Sequence, residues 1–322
     1  MDPKPYVHVP QTVSAEAQAF LRAMPDPHLK PQFPAPDDLE RWKKLQGWAD
    51  ADGIAKSEPV VRALGQDVRA LTLGVPGLDI RPKAWTDTGK VMVYTHGGAH
   101  VMYSAASMLG RAALAAHEIG LRIISVDYTL SPQIRFNEMS DQTVAAIRGL
   151  VASGQNLSDM AIFGNTSGGG LAAATVLKMR DLGLGMPAVA VLVSPWLDVT
   201  DAGDTETTLY DADPNQLYEK HTRFAAAFAD LNDQKHPYAS PVYGDFSKGF
   251  PPTLIQGALK EVLLSGFVRF CQALDQAGIP VKLDLYEGMV HNFHDRIPNA
   301  PEAITARGKM RDFLHRHLGL TG

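Results

Sequence analysis

The chain has 322 residues, 45% of them hydrophobic and 20% charged, with a formal net charge of −5; this is ample material for one large core, and the absence of a basic run argues against nucleic acid as a partner. The lone Cys271 excludes an intramolecular disulfide, and its helical setting suggests a buried thiol. No run approaches the roughly 18 apolar residues of a membrane span, and Met1-Asp2-Pro3-Lys4-Pro5 is not followed by an apolar signal stretch, so a cytoplasmic protein with no membrane partner is the expectation.

In chain order, residues 1–62 are rich in proline and charge, with helical patches at 15–24 and 37–50. Strand-like runs follow at 67–74, 79–87, 90–95, 122–128, 160–164, 187–194, 253–257 and 281–286. From about residue 104 helical stretches separate most of them. An antiparallel start followed by alternating strand and helix predicts an α/β fold: a mostly parallel eight-stranded sheet with helices on both faces, formed by residues 63–322. Residues 200–236 interrupt the alternation. Together with residues 1–62 they are expected to form a helical cap that excludes water and shapes a substrate cavity. Within that insertion Phe224 and Phe228 stand four residues apart, giving a helix an apolar stripe that serves either the core or the pocket.

The strand runs end in motifs that carry chemistry. Val91 to Thr95 leads into His96-Gly97-Gly98-Ala99, a turn able to point backbone N–H groups at one spot. The strand from Arg122 ends in Asp127-Tyr128-Thr129-Leu130-Ser131-Pro132, which as a Pro turn needs no function. Ile162-Phe163-Gly164-Asn165-Thr166-Ser167-Gly168-Gly169-Gly170 has the strand-turn-helix build of a G-x-S-x-G nucleophile elbow, with threonine in place of serine. Gly164 and Gly168 frame Thr166, whereas centring the turn on Ser167 puts the side chain of Asn165 where close packing wants none. Ser194-Pro195-Trp196-Leu197-Asp198 follows the next strand. Glu261, after Thr253 to Gln256 and Gly257-Ala258-Leu259-Lys260, leaves the carboxyl edge of a parallel sheet, where a triad acid belongs; a carboxylate there also suits the first turn of a helix. His291, in Tyr286-Glu287-Gly288-Met289-Val290-His291-Asn292-Phe293, follows the last strand and stands out among eleven histidines. The order nucleophile, acid, histidine is the order of one triad-bearing fold among several.

Taken together these blocks resemble the hormone-sensitive-lipase-like branch of the α/β-hydrolase carboxylesterases, which carries His-Gly-Gly-Gly, Asp-Tyr-Arg-Leu-Ala-Pro, an aspartate acid and a His-x-Phe loop. The chain departs from that pattern at Ala99, at Thr166 and at Glu261, the longer homologue of the usual aspartate. The resemblance implies oxyanion donors at the N–H groups of Gly98, Ala99 and Ser167, and a structural hinge at His96. It implies a small-molecule ester or lactone as substrate and no cofactor.

On that reading Thr166, Glu261 and His291 form a nucleophile, acid and base set. Three accounts of Thr166 stay open. It is a slow natural nucleophile, or an introduced substitution for serine, or a substrate-positioning residue in an enzyme that eliminates water. The last is similar to the plant 2-hydroxyisoflavanone dehydratases, which have threonine in the serine position. A ligand-binding receptor on the same scaffold is a fourth possibility, and the presence of both Glu261 and His291 counts against it. The close pairs His291/His294 and His315/His317 lack the H-E-x-x-H form, so no metal is expected; the glycines at 168–170 lack the companions of a nucleotide loop.

Overall fold

The computed structural model describes residues 6–26, 33–213 and 218–320, and for residues 218–221 the backbone alone. Met1 to Pro5 and parts of both expected cap segments, 27–32 and 214–217, lie outside the described residues. Two helices come first, α1 (Ala15–Arg22) and α2 (Leu39–Leu64). Then come β1 (Asp67–Thr72), β2 (Pro76–Arg81), β3 (Val91–Thr95), α3 (Leu109–Ile119), β4 (Arg122–Val126), α4 (Phe136–Ala152), β5 (Met160–Asn165), α5 (Ser167–Asp181) and β6 (Val189–Val193). The remainder is α6 (Asp204–Thr208), α7 (Tyr218–Phe228), β7 (Thr253–Ala258), α8 (Leu264–Gln276), β8 (Val281–Tyr286), α9 (Phe293–Arg296) and α10 (Pro301–Leu318).

The eight strands form one sheet in the order β1-β2-β4-β3-β5-β6-β7-β8. β2 pairs antiparallel with β1 and with β4, and every later pairing is parallel. Alternation along the buried strands assigns side chains to two cores. Val91 and Val93 face one side with Ile162, Leu192 and Ile255, against α4, α5 and α8; Met92 and Tyr94 face the other with Phe163, Val191 and Leu254, against α3 and α10.

Three expectations shift. The second strand is Pro76–Arg81 and not 79–87, because Ile80 and Leu78 keep register with β4 while Pro82 has no N–H to continue the ladder. The second helix runs on to Leu64 past Pro59, because the small Gly53 and Ser57 let it lie directly on α3; a Cβ on Gly53 would meet Ser107 Cβ at 2.6 Å. Cys271 is half-buried, its thiol pushed up by partial burial. Among the described residues no helix is long and apolar enough to cross a membrane.

A third core, away from the sheet centre, joins the N-terminus to the loop after β8. Val7, Val13, Ala17, Leu21 and Met24 pack on Met289, Val290 and Phe293. Lys260 Nζ donates to the His8 carbonyl at 2.8 Å, and Thr12 donates to Glu287 at 2.7 Å. The first part of the N-terminal segment is thus a strap behind the loop that carries His291.

Candidate active site

At the carboxyl edge of the sheet β5 turns into α5 through Thr166, whose φ of 50° and ψ of −124° lie outside the usual range of a β-branched residue. The turn demands glycine on both sides of it. A Cβ on Gly164 would come within 2.2 Å of the Gly168 carbonyl oxygen, and one on Gly168 within 2.1 Å of the Thr95 carbonyl oxygen. These contacts centre the turn on residue 166. Ser167 is fully buried at the start of α5, its Oγ accepting from His100 N at 3.1 Å. Tyr94 donates to Asn165 Oδ1 at 2.7 Å, and Gly97 N donates to the same oxygen at 3.1 Å, which ties the elbow to the loop after β3.

That loop is a run of left-handed backbone: φ is 125° at Gly98, 55° at Ala99 and 64° at His100. Gly98 has no alternative, since a Cβ there would meet the Met102 carbonyl oxygen at 2.2 Å. Ala99 adopts its left-handed conformation at a cost of roughly 1 kcal/mol. His96 is buried and stacks on Tyr128 at 4.3 Å, and Tyr128 donates to the His96 carbonyl at 2.5 Å, so the Asp-Tyr block braces the turn. His100 is sandwiched face to face on Phe228 at 3.7 Å, and burial pushes its pKa down to about 3.

Glu261 and His291 meet. Glu261 is fully buried and lies three residues ahead of α8, outside its first turn. Its Oε1 accepts from Ala258 N at 2.7 Å and from Ser194 Oγ at 2.7 Å, and its Oε2 lies 2.6 Å from His291 Nδ1. The bond holds the imidazole proton on Nδ1 and leaves Nε2 as the acceptor. The other carboxylates near the loop are engaged elsewhere, Asp284 with Lys309, Gln256 and Tyr286, and Asp295 with Arg111.

Thr166, Gly98, Ala99 and His291 line one cavity of about 320 Å³ with Trp196, Phe224, Leu263 and others. Thr166 and His291 share its wall without hydrogen bonding to each other, as is common before a substrate tightens such a pair. Phe224 meets Phe33 of the N-terminal segment edge to face at 4.7 Å, both at the cavity. Of the stripe on α7, Phe224 reaches the pocket and Phe228 packs on His100. Among the described residues no group of three or more His, Cys, Asp or Glu side chains converges to hold a metal.

Ser194 is the residue that sequence reasoning missed. Its hydroxyl donates to Glu261 and accepts from Asn292 N at 3.2 Å, linking the acid to the histidine loop from a backbone φ of 45°. The available signal was a hydroxyl at the end of the strand beside the elbow strand. Arg111 and Arg296, also on the cavity wall, had no signal in the sequence.

Residues 92–295 match the family model described as alpha/beta hydrolase fold. This chain belongs to the α/β-hydrolase family. The hydrolase is 32% identical to an acetyl-hydrolase of Streptomyces hygroscopicus over 72% of its own length and 77% of the relative's. It is 30% identical to an ethyl acetate hydrolase of Pseudomonas putida over 71% and 74% of the two chains. A crystal structure of an esterase from the bacterial hormone-sensitive lipase family superposes with a TM-score of 0.80 at 28% identity, covering 95% of this hydrolase and 99% of that chain. The protein is an esterase/lipase-type hydrolase related to the hormone-sensitive-lipase-like group.

Proposed function

We propose that this hydrolase cleaves short-chain carboxylic esters or lactones with Thr166 as nucleophile, His291 as general base and acid, Glu261 as the group that orients His291, and Gly98, Ala99 and Ser167 as oxyanion donors. The observation that carries this reading is the 2.6 Å bond between Glu261 and His291 on the wall of the cavity into which the strained Thr166 turn also opens. Thr166 Oγ1 gives its proton to His291 Nε2 as the oxygen attacks the carbonyl carbon. Negative charge then gathers on the carbonyl oxygen, where the N–H groups of Gly98, Ala99 and Ser167 and the positive end of α5 favour it. His291 passes the proton to the leaving alkoxide, and the acyl group stays on Thr166. Water, deprotonated by His291, attacks the acyl-enzyme and releases acid and free enzyme. The buried Glu261 stabilises the imidazolium throughout.

Short acyl chains fit the modest cavity, and the relatives named for acetyl and ethyl acetate hydrolysis agree with that size. We also assign the cap to the rest of residues 1–62 together with 200–236. The contact of Phe33 with Phe224, and of Trp42 with Phe224 at 6.2 Å, supports it, since the two segments meet at the cavity. One observation favours a second reading. The Thr166 methyl crowds the attacking oxygen, and an enzyme that uses His291 only to abstract a proton and the oxyanion donors to hold an enolate has no need of an open nucleophile. Rates on p-nitrophenyl acetate and butyrate, measured beside His291→Ala, test the hydrolytic reading. Full turnover by a folded His291→Ala protein sinks it.

A further inference from the structure

The loop after β3 ends in a residue whose conformation the fold alone does not explain. Tyr103 has a φ of 73°, a left-handed backbone that is strained for any residue with a Cβ. Its neighbours dictate that conformation. Val101 N and Met102 N both donate to the Gly98 carbonyl, at 3.1 and 3.0 Å, which closes the turn on one side. On the other side Ser104 N donates to Ser107 Oγ at 2.7 Å and Ala105 N to Asp127 Oδ1 at 2.8 Å. Glycine would follow this path without strain, so the strain of Tyr103 has to be set against what its side chain does.

That side chain contributes little to the fold. The residue is half-buried, and among the described residues its ring joins none of the three apolar cores, stacks on no other ring and makes no hydrogen bond. Arg111, itself held by Asp295, feels the phenol electrostatically. His100 makes the contrast, since its left-handed backbone places a buried ring on Phe228. The Tyr103 ring instead lines the cavity together with Gly98, Ala99, Thr166 and His291. Its edge lies against the oxyanion turn: a Cβ on Gly98 would come within 2.8 Å of Tyr103 Cδ2. A rigid ring at that place takes room from a cavity of only about 320 Å³, beside the spot where the ester carbonyl would sit. We propose that Tyr103 is a specificity-determining residue, its ring closing the cavity beside the oxyanion turn so that only small esters reach Thr166 in a productive pose. This rests on the ester-hydrolase reading above.

Tyr103→Gly in the full chain removes the ring and the strain together. The ratio of kcat/KM for p-nitrophenyl octanoate to that for p-nitrophenyl butyrate is expected to rise about tenfold or more, since each further methylene buried in an apolar site is worth about fourfold. The ratio of 1-naphthyl acetate to phenyl acetate adds bulk to the alcohol portion instead, and a rise in either ratio supports the proposal and shows which end of the ester the ring limits. The melting temperature should hold or rise, because relief of the left-handed strain offsets the freedom that glycine gains in the unfolded chain. Tyr103→Asn, a residue that accepts left-handed backbone, repeats the test should glycine loosen the loop. Tyr103→Phe keeps the ring and should keep the parent's ratios. Both ratios unchanged in the folded glycine and asparagine variants overturn the proposal. So does a uniform fall in kcat on all esters or a marked fall in melting temperature, either of which makes the ring a structural support. A Tyr103→Phe protein that widens like the glycine variant overturns it too, because the hydroxyl and not the bulk of the ring then sets the limit. Isothermal titration calorimetry keeps the size limit apart from hydrolysis: in Tyr103→Gly the preference for octanoate over butyrate, or for 1-naphthol over phenol, should grow by a similar factor. That growth with no ester cleaved by either protein supports the size limit and refutes hydrolysis. Ester cleavage with no change in any ratio leaves hydrolysis standing and overturns the size limit.

Discussion

Replacing Thr166 by serine removes one methyl group from the centre of the proposed chemistry. The methyl is pressed against the loop after β3, and a Cβ on Gly97 would lie only 2.0 Å from Thr166 Cγ2. Serine keeps the hydroxyl and the positive φ but sheds the β-branch, which is the part of the residue least suited to a φ of 50° and ψ of −124°. Strained backbone of this kind costs roughly 1–3 kcal/mol. If about 1.4 kcal/mol of it is felt as crowding in the transition state, kcat rises about tenfold in Thr166→Ser. Stability should barely move, because loss of a buried methyl costs about 0.8 kcal/mol and relief of strain returns a similar amount. The assay is kcat on p-nitrophenyl acetate and butyrate for both proteins at matched melting temperature, followed by phosphonate labelling and peptide mass spectrometry. A kcat in Thr166→Ser equal to or below that of the parent refutes the argument that the methyl limits turnover. A phosphonate adduct on Ser167 in both proteins refutes the register of the elbow. An eliminating enzyme would show negligible esterase activity with Thr166, gain some with serine, and keep its own reaction in both forms.

His291→Ala should abolish ester cleavage with little change in melting temperature, and Glu261→Gln should lower kcat toward the roughly 10⁴-fold loss of a neutralised triad carboxylate, with Glu261→Asp milder; steady-state kinetics decide. Ser194→Ala should lower kcat about tenfold with a smaller change in KM, since it removes one of the two donors to Oε1 of the buried Glu261 and the tie to the histidine loop; an unchanged kcat would leave Ser194 a merely structural residue. Deletion of residues 1–24 should lower kcat on acetate and butyrate esters alike and reduce the melting temperature, because these residues brace the loop of His291; altered chain-length selectivity at normal kcat would make this strap a lid instead. His100 and His294 are buried neutral with pKa values of about 3, so the unfolded chain takes up protons below pH 6.5 that the folded one refuses. Each histidine then contributes about 1.4 kcal/mol of lost stability per pH unit between its unfolded and folded pKa. Melting temperatures should fall from pH 6.5 toward pH 4, and His100→Phe should flatten the slope. An equally steep fall in that variant would show that His100 does not contribute to it.

The sheet was legible because its signals are local. Val91 to Thr95, Met160 to Asn165 and Thr253 to Ala258 are apolar runs buried on both faces, and such runs read as parallel strands wherever helices alternate with them. The shift of the second strand reflects a competition that no local pattern records: its register is set by pairing with β4, forty-odd residues further on. Glu261 and His291 could be named because each follows a strand at the same edge. The elbow could be centred on Thr166 because glycine spacing is a backbone requirement, and the contacts at Gly164 and Gly168 give the reason.

What the linear order of residues determined by itself is the α/β architecture and the identity of the residues that emerge at the carboxyl edge of the strands, since strand period and turn chemistry are properties of short segments. Only the tertiary structure decided what those residues do to one another. The 2.6 Å contact of Glu261 with His291, the hydroxyl of Ser194 beneath it, the strap of residues 6–24 behind the histidine loop and the meeting of Arg111 with Asp295 all join groups distant in sequence. Their positions follow from how helices pack on an open sheet, and that packing optimises burial over the whole molecule at once, so no stretch of sequence contains it.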